Sequence, residues 1–358
     1  VVLLVSAGLF VRSFRALQAT ELAFDPQGLA LMDVNLPSQR YPAIPEQVLF
    51  YDQLLDRAAA MPAVTGVAGT TQPPGWSAGM TFSFAIEGRV ASNLNGREDD
   101  EAVHAVTPGY FEVLGRRMIR GRPFDGNDRI DATPVVIINE SLARKHWPGG
   151  NPIGERIAFR VGDTPWREIV GVVQDARLES PDVSPHPAIY VPAAQRTWPW
   201  LTYLTVMART ANGTDPVAIT EGLRQALLDL DPQLPPESIT TVEAAFRENT
   251  ASRTFAMALV GGFGTLALIL SVVGLYGLIT YTVSRQRREI GVRIALGAPA
   301  GEVVGGVMRR TLGLTLAGVS VGVLGALLAG RFLQGLLFGV EATDLTTYVT
   351  TVGIVVVV

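Results

Sequence analysis

FAMALVGGFGTLALILSVVGLYGLITYTV, running from Phe255 to Val283, carries no charged residue, and Ser284-Arg285-Gln286-Arg287-Arg288-Glu289 follows it directly. About 20 apolar residues carry a helix across a hydrocarbon core of about 30 Å. The run exceeds that, so it spans a bilayer with tilt or with one end in water. Arginines crowded in a short loop against a membrane end put that loop on the cytoplasmic side. Everything before Phe255 is then expected on the other side. The competing reading, a buried core helix, is disfavoured by so long a stretch without charge.

Composition points the same way. The chain has 358 residues, 48% hydrophobic and 17% charged, below the roughly 25% charged of soluble domains. One soluble region plus membrane helices accounts for this. A net charge of −4 argues against nucleic acid as a main partner. The chain has no cysteine, which removes disulfides and thiolate metal sites and leaves the compartment open.

Two further apolar runs lie at the ends, Val1–Val11 before Arg12 and Leu345–Val358. Each is too short to span and reads as a transmembrane helix cut short, so the chain is read as a fragment. Thr311–Gly330 is uncharged and of spanning length, with Gly318, Gly322, Ala326 and Gly330 at four-residue steps. Such ridges of small residues allow close helix packing in membranes. They also arise because apolar helices are rich in Gly and Ala. Arg331–Asp344 reads as a short return segment.

The region before Phe255 alternates between strand and helix patterns, an α+β organisation. Strands are expected at Gly28–Leu36, Val64–Thr71, Thr81–Glu87, Ala102–Thr107, Val135–Asn139, Trp166–Gln174, Ala188–Val191, Leu201–Ala208 and Ile239–Val242. Helices are expected at Pro45–Ala60, with Val48, Leu49, Leu54 and Leu55 as its apolar stripe, and at Glu140–His146. A third runs over Asp215–Leu230, capped by Thr214 or Asp215. Arg12–Gln27 reads as a helical extension with Phe14, Leu17 and Leu22 on one side. Glu243–Arg253 reads as a helix running into the membrane span.

Catalytic patterns are sparse. Gly75-Trp76-Ser77-Ala78-Gly79 matches G-x-S-x-G, but prolines precede it and a strand follows, where a nucleophile elbow needs strand then helix. His104, His146 and His186 lack the spacing that puts two metal ligands on one helix face. Glu98-Asp99-Asp100-Glu101 reads as a solvated loop, and no P-loop motif occurs. The two uncharged runs hold no ionisable residue, which argues against an ion relay through them. No enzyme, cofactor or metal is expected. In Arg285–Leu296, Ile290 and Ile294, with Ala295 and Leu296, share a face away from Arg287, Arg288 and Arg293. A short amphipathic helix ended by Gly297 could lie on lipid headgroups or dock on a partner. Both stay open on the residues alone.

Arg287–Ala298, RREIGVRIALGA, resembles the signature after the second transmembrane helix of FtsX-like ABC permeases. Earlier stretches, in the same order, resemble the MacB-like periplasmic core domain. They are Thr107–Gly115 (TPGYFEVLG), Gly121–Phe124 (GRPF), Ile138–Ala143 (INESLA), Trp147-Pro148, Asn151–Gly154 (NPIG) and Val170–Val173 (VGVV). The resemblance implies a type VII, mechanotransmission-type permease in a bacterial inner membrane. Its domains would be a truncated helix over 1–11, a periplasmic α+β domain over 12–253 with porter-like and sabre-like lobes, and an FtsX-like permease domain over 254–358. That last domain would hold spans at 255–283, 311–330 and 345–358 and a cytoplasmic coupling segment over 284–310.

By the same resemblance, Arg287, Arg288, Glu289, Ile290, Gly291, Arg293 and Gly297 would meet a separate cytoplasmic ATP-binding subunit. Further implied partners are membrane lipid, a second permease half, covalent or dimeric, and a periplasmic adaptor or regulated protein. The implied function is export or mechanotransmission powered by that ATPase. Its alternative is a signalling permease that regulates a periplasmic protein without transport. Pro299-Ala300-Gly301 departs from the pattern, which often has a polar cap and basic residues there. A helix start survives with less docking charge.

Overall fold

The computed structural model describes residues 2–18, 20–76, 79–89, 100–160, 164–211, 213–285, 316–328 and 343–357, with isolated positions 292, 305 and 313. The elements in chain order begin with α1 (Val2–Gln18), β1 (Leu29–Asn35), α2 (Ile44–Ala59), β2 (Val64–Thr70), β3 (Thr81–Phe82), β4 (Phe84–Ile86) and β5 (Glu101–Val106). Then come α3 (Tyr110–Val113), β6 (Met118–Gly121), β7 (Val135–Asn139), α4 (Glu140–His146), β8 (Arg156–Phe159), β9 (Arg167–Val173) and β10 (Ala188–Pro192). The last are β11 (Tyr203–Thr210), α5 (Thr220–Leu228), β12 (Ser238–Thr241), α6 (Val242–Arg285), α7 (Leu316–Leu328) and α8 (Leu345–Val357). The chain divides into two compact units, Glu21–Thr250 and Val1–Thr20 with Ala251–Val358.

The first unit is built on a mixed sheet in the order β12-β1-β11-β2-β5-β10-β7-β9-β8-β4, with β3 on β5 and β6 on β9. The β5–β10 and β7–β9 pairs are parallel. Two halves of the sheet meet between β2 and β5, where the only registered pair is Thr70 with Val106. Alternation along the strands sorts the core into three clusters. Leu29 and Leu31 of β1, Ile137 of β7 and Tyr190 of β10 face a central cluster with Tyr110, Phe111 and Phe124. Ala30, Met32 and Val34 face the other way, into a cluster covered by α2 and α5. Val136, Ile138 and Ile189 face a third, with Phe84, Trp147 and Trp198. Both faces of the sheet are buried at β7 and β10, which is why these two strands read as unbroken apolar runs.

Three expectations change before α5. α1 ends at Gln18, short of Gln27. Ala23 adopts a left-handed φ of 60° and Leu22 and Phe24 pack with the central cluster, so burial overrides the helical pattern. Thr81–Glu87 splits at Ser83 into β3 and β4, which pair with β5 and β8. In α2 the buried side is Gln47, Phe50, Tyr51, Leu54, Leu55 and Ala58, while Leu49 is 59% exposed. The helix at Asp215 starts as a 3₁₀ turn whose cap is Asp215, its carboxylate accepting from Val217 N at 2.9 Å.

The second unit is helical. Thr254–Leu278 of α6 is long and apolar enough to cross a membrane. Val5 and Leu9 of α1, Ala326 of α7 and Tyr348 of α8 form its buried cluster. Asp344 caps α8 by accepting from Thr347 N at 2.9 Å, and Arg12 of α1 donates to the same carboxylate and to Thr346 Oγ1.

Candidate functional site

The implied coupling residues Arg287, Arg288, Glu289, Ile290, Gly291, Arg293 and Gly297 lie outside the described residues, as do Gly330 and Ser77. Of the small-residue ridge, Ala326 packs with Val5, Leu9 and Tyr348, Gly322 is half-buried, and Gly318 faces open space. Gly75, which opens the G-x-S-x-G match, has φ +92° and a position where a Cβ would sit 2.7 Å from Ala245 Cβ of α6. Its amide donates to Leu178 O at 2.7 Å, so close approach to α6 explains this glycine.

The histidines are separated by environment. His104 is 7% exposed and stacks on Tyr190, ring centroids 5.1 Å apart. Burial, then the charge of Arg116, pushes its pKa down to about 3, so it is neutral at physiological pH. Arg116 donates to Tyr190 Oη at 2.8 Å and to Gln174 O at 2.6 Å. His146 packs edge-on against Phe84 and Trp147, and the His186 carbonyl accepts from Asn139 Nδ2 at 2.7 Å. No group of three His, Cys, Asp or Glu able to hold a metal ion occurs among the described residues.

The motifs that carry the resemblance build corners of the sheet unit. Thr107 Oγ1 accepts from Gly69 N at 2.7 Å, and Gly109 caps α3 with φ +83°, placing Tyr110 and Phe111 in the core. At Gly121 a Cβ would sit 2.0 Å from Val170 O of β9, so β6 approaches β9 only with glycine there. Asn139 Oδ1 accepts from Leu142 N at 3.0 Å and from Ala188 N at 2.9 Å, capping α4 and tying it to β10. These residues shape the fold and leave the surface chemistry elsewhere.

A groove of about 660 Å³ opens in the sheet unit between α2 and the loop that follows β6. Pro45, Val48, Leu49 and Asp52 form one wall, at i, i+3, i+4 and i+7 of α2. The turn from Asp125 to Asp131 forms the other, and Thr107, Pro108, Pro192–Ala194, Arg196 and Leu204 lie between. That turn is held firmly. Arg122 grips both oxygens of Asp128 at 2.8 Å, Asp125 N donates to Asp128 at 3.0 Å, and Gln195 Nε2 donates to Arg129 O at 3.0 Å. Burial works against Asp128, but the Arg122 fork outweighs it and holds the carboxyl below its usual range. Asp52 moves the other way, raised by desolvation and then by Asp56.

Its described lining combines apolar walls with a carboxylate rim. Sequence reasoning missed it because its parts are scattered over five segments. The one available signal was the second apolar pair in α2, Val48 and Leu49, which falls off the buried face.

Residues 1–226 match the MacB-like periplasmic core domain, and residues 261–358 match the FtsX-like permease C-terminal region. An uncharacterized ABC transporter permease of Bacillus subtilis, YvrN, is 24% identical over 69% of this chain and 61% of its own. The macrolide export ATP-binding/permease protein MacB of Agrobacterium fabrum is 27% identical over 63% of this chain and 35% of its own. The chain thus spans between about a third and three fifths of these relatives. The crystal structure of the periplasmic region of MacB from Actinobacillus actinomycetemcomitans is similar over 64% of this chain and 95% of that one, at 13% identity and a TM-score of 0.44. With both regions matched in order, the chain belongs to the MacB-like, FtsX-like family of ABC transporter permeases.

Proposed function

We propose that this permease converts ATP hydrolysis by a separate cytoplasmic subunit into movement of its sheet unit outside the cytoplasm. The observation that carries this reading is the uncharged stretch Thr254–Leu278 of α6 running on to Arg285 and the RREIGVRIALGA segment. Arginines at that boundary favour the cytoplasmic side. Arg287, Arg288, Glu289, Ile290, Gly291, Arg293 and Gly297 then form the contact with the ATPase. Residues 12–253 are periplasmic and 254–358 form the permease domain of a multi-pass inner-membrane protein. The two sheet halves that meet at Thr70–Val106 correspond to porter-like and sabre-like lobes. A second permease half completes the membrane assembly, and the ridge Gly318–Gly322–Ala326–Gly330 packs in it. The name of the Agrobacterium fabrum relative, an ATP-binding/permease protein, supports the pairing with an ATPase.

Export and signalling share this coupling and differ in what the periplasmic movement acts on. The test is ATPase stimulation in vesicles containing the full-length permease and its ATP-binding subunit. Arg288→Glu and Glu289→Lys should each abolish the permease-dependent part of the rate. Unchanged stimulation in both variants would remove the coupling role from this segment.

A further inference from the structure

The groove between α2 and the Asp125–Asp131 turn has no part in the coupling reading and uses residues of the sheet unit only. We propose that it is a docking site for a segment of a protein partner, an apolar polypeptide stretch flanked by lysine or arginine.

Three observations fit that occupant. The volume, about 660 Å³, lies within the range of small-molecule sites and so does not choose between ligand classes. The rim does. Leu49 on one wall and Ile130 on the other are 59% and 53% exposed. A molecule sunk between the walls would leave their outer faces in water, whereas a polypeptide laid across the groove covers both. Second, the accessible charge is acidic. Asp52 and Asp131 stand exposed on the rim, opposed there by Arg129, while Asp125 lies 3.7 Å from the Arg122 guanidinium. Asp128 is occupied by Arg122, and Arg196 is 4% exposed, its guanidinium turned to Ala193 O and Gln47 Oε1. Cationic flanks on the partner complement that rim, and the apolar floor takes the residues between them.

Third, the walls are preformed. The Asp125–Asp131 turn is pinned by Arg122 and Gln195, and the single hydroxyl proton of Tyr51 of α2 is shared between Thr202 O at 2.7 Å and Val34 O at 2.9 Å. A pre-shaped groove costs a partner little ordering on its own side.

The experiment measures binding of two fluorescent helical peptides, one of leucine and lysine and one of leucine and glutamate, to the full-length protein. The protein sits in nanodiscs of zwitterionic lipid, and empty nanodiscs set the background. The leucine–lysine peptide should bind above that background, weaken with added salt, and outbind the leucine–glutamate peptide at least tenfold. Asp131→Lys with Asp52→Lys should weaken it at least tenfold, and Leu49→Ser should weaken it independently. All three positions are exposed, and circular dichroism confirms folding of the variants. Equal binding of the two peptides, or variants that bind like the parent, would overturn the proposal. Binding of tetraphenylphosphonium at the groove without binding of the peptide would overturn it as well, assigning the groove to a small cationic amphiphile.

Discussion

His104 builds an acid limit into the sheet unit. It is buried beside Arg116, stacks on Tyr190, and its Nδ1 has no hydrogen-bond partner. Its pKa is near 6.5 when unfolded and about 3 when folded. Between those values the unfolded chain takes up a proton that the folded one refuses. Stability is therefore full above pH 6.5 and falls as pH drops through that window. Each pH unit inside that window costs roughly 1.4 kcal/mol, so this one residue removes about 3 kcal/mol between pH 7.5 and pH 4.5. That is a large part of an ordinary folding free energy of about 5–15 kcal/mol. Urea denaturation of the segment 21–250, which carries its own core clusters, measures the effect. His104→Phe keeps the stacking on Tyr190 and removes the titration. The variant should lose about 3 kcal/mol less than the parent over that range. Parallel losses in the two proteins would refute the argument.

Other residues give equally definite expectations. Arg167 is fully buried, with two of its nitrogens unpartnered, and burial pushes its pKa down to about 10. Its charge costs about 3 kcal/mol below pH 10, a penalty relieved as pH rises through that value. Arg167→Met should leave the unfolding midpoint unchanged or raise it, and a marked fall would show that its bond to Gln195 O outweighs the desolvation. Gly121→Ala puts a Cβ 2.0 Å from Val170 O at φ +72°, and should cost more than about 3 kcal/mol by urea denaturation. Gly88→Ala, at φ +73° with nothing within 4 Å, isolates the backbone term at about 1 kcal/mol. If both variants unfold alike, the steric account of Gly121 fails. In the helical unit, a Cβ at Gly8 would lie 2.8 Å from Thr347 Cγ2. Gly8→Cys with Thr347→Cys should form a disulfide on oxidation in membranes, on a background free of cysteine. Asp344→Ala, which releases Arg12, should lower the yield, and no crosslink in the parent would contradict the α1–α8 packing.

Much of the sheet unit was legible from periodicity. Val135–Asn139 and Glu140–His146 have the bounds expected, because an all-apolar strand passing into a helix capped by Asn139 leaves little freedom. The short strands Met118–Gly121 and Arg156–Phe159 were not read. Four residues carry too little alternation, and their pairing is supplied by β9 and β4. Leu22 and Phe24 misled because they are recruited to the central cluster from an irregular segment. The single-pair junction at Thr70–Val106 and the groove above it depend on strand order, which no local pattern encodes. The motif glycines Gly109 and Gly121 marked positions in the family pattern, and only the structure gives their reasons, a helix cap and a close strand approach.

The central claim is that this permease works with a cytoplasmic ATPase through the segment after α6. Affinity purification of the full-length protein from native membranes, with identification of co-purifying subunits, tests it most directly. An ATP-binding subunit should be recovered in stoichiometric amount and lost with Arg288→Glu. Recovery of the permease with no ATPase, or full retention of the ATPase by the variant, would contradict the account.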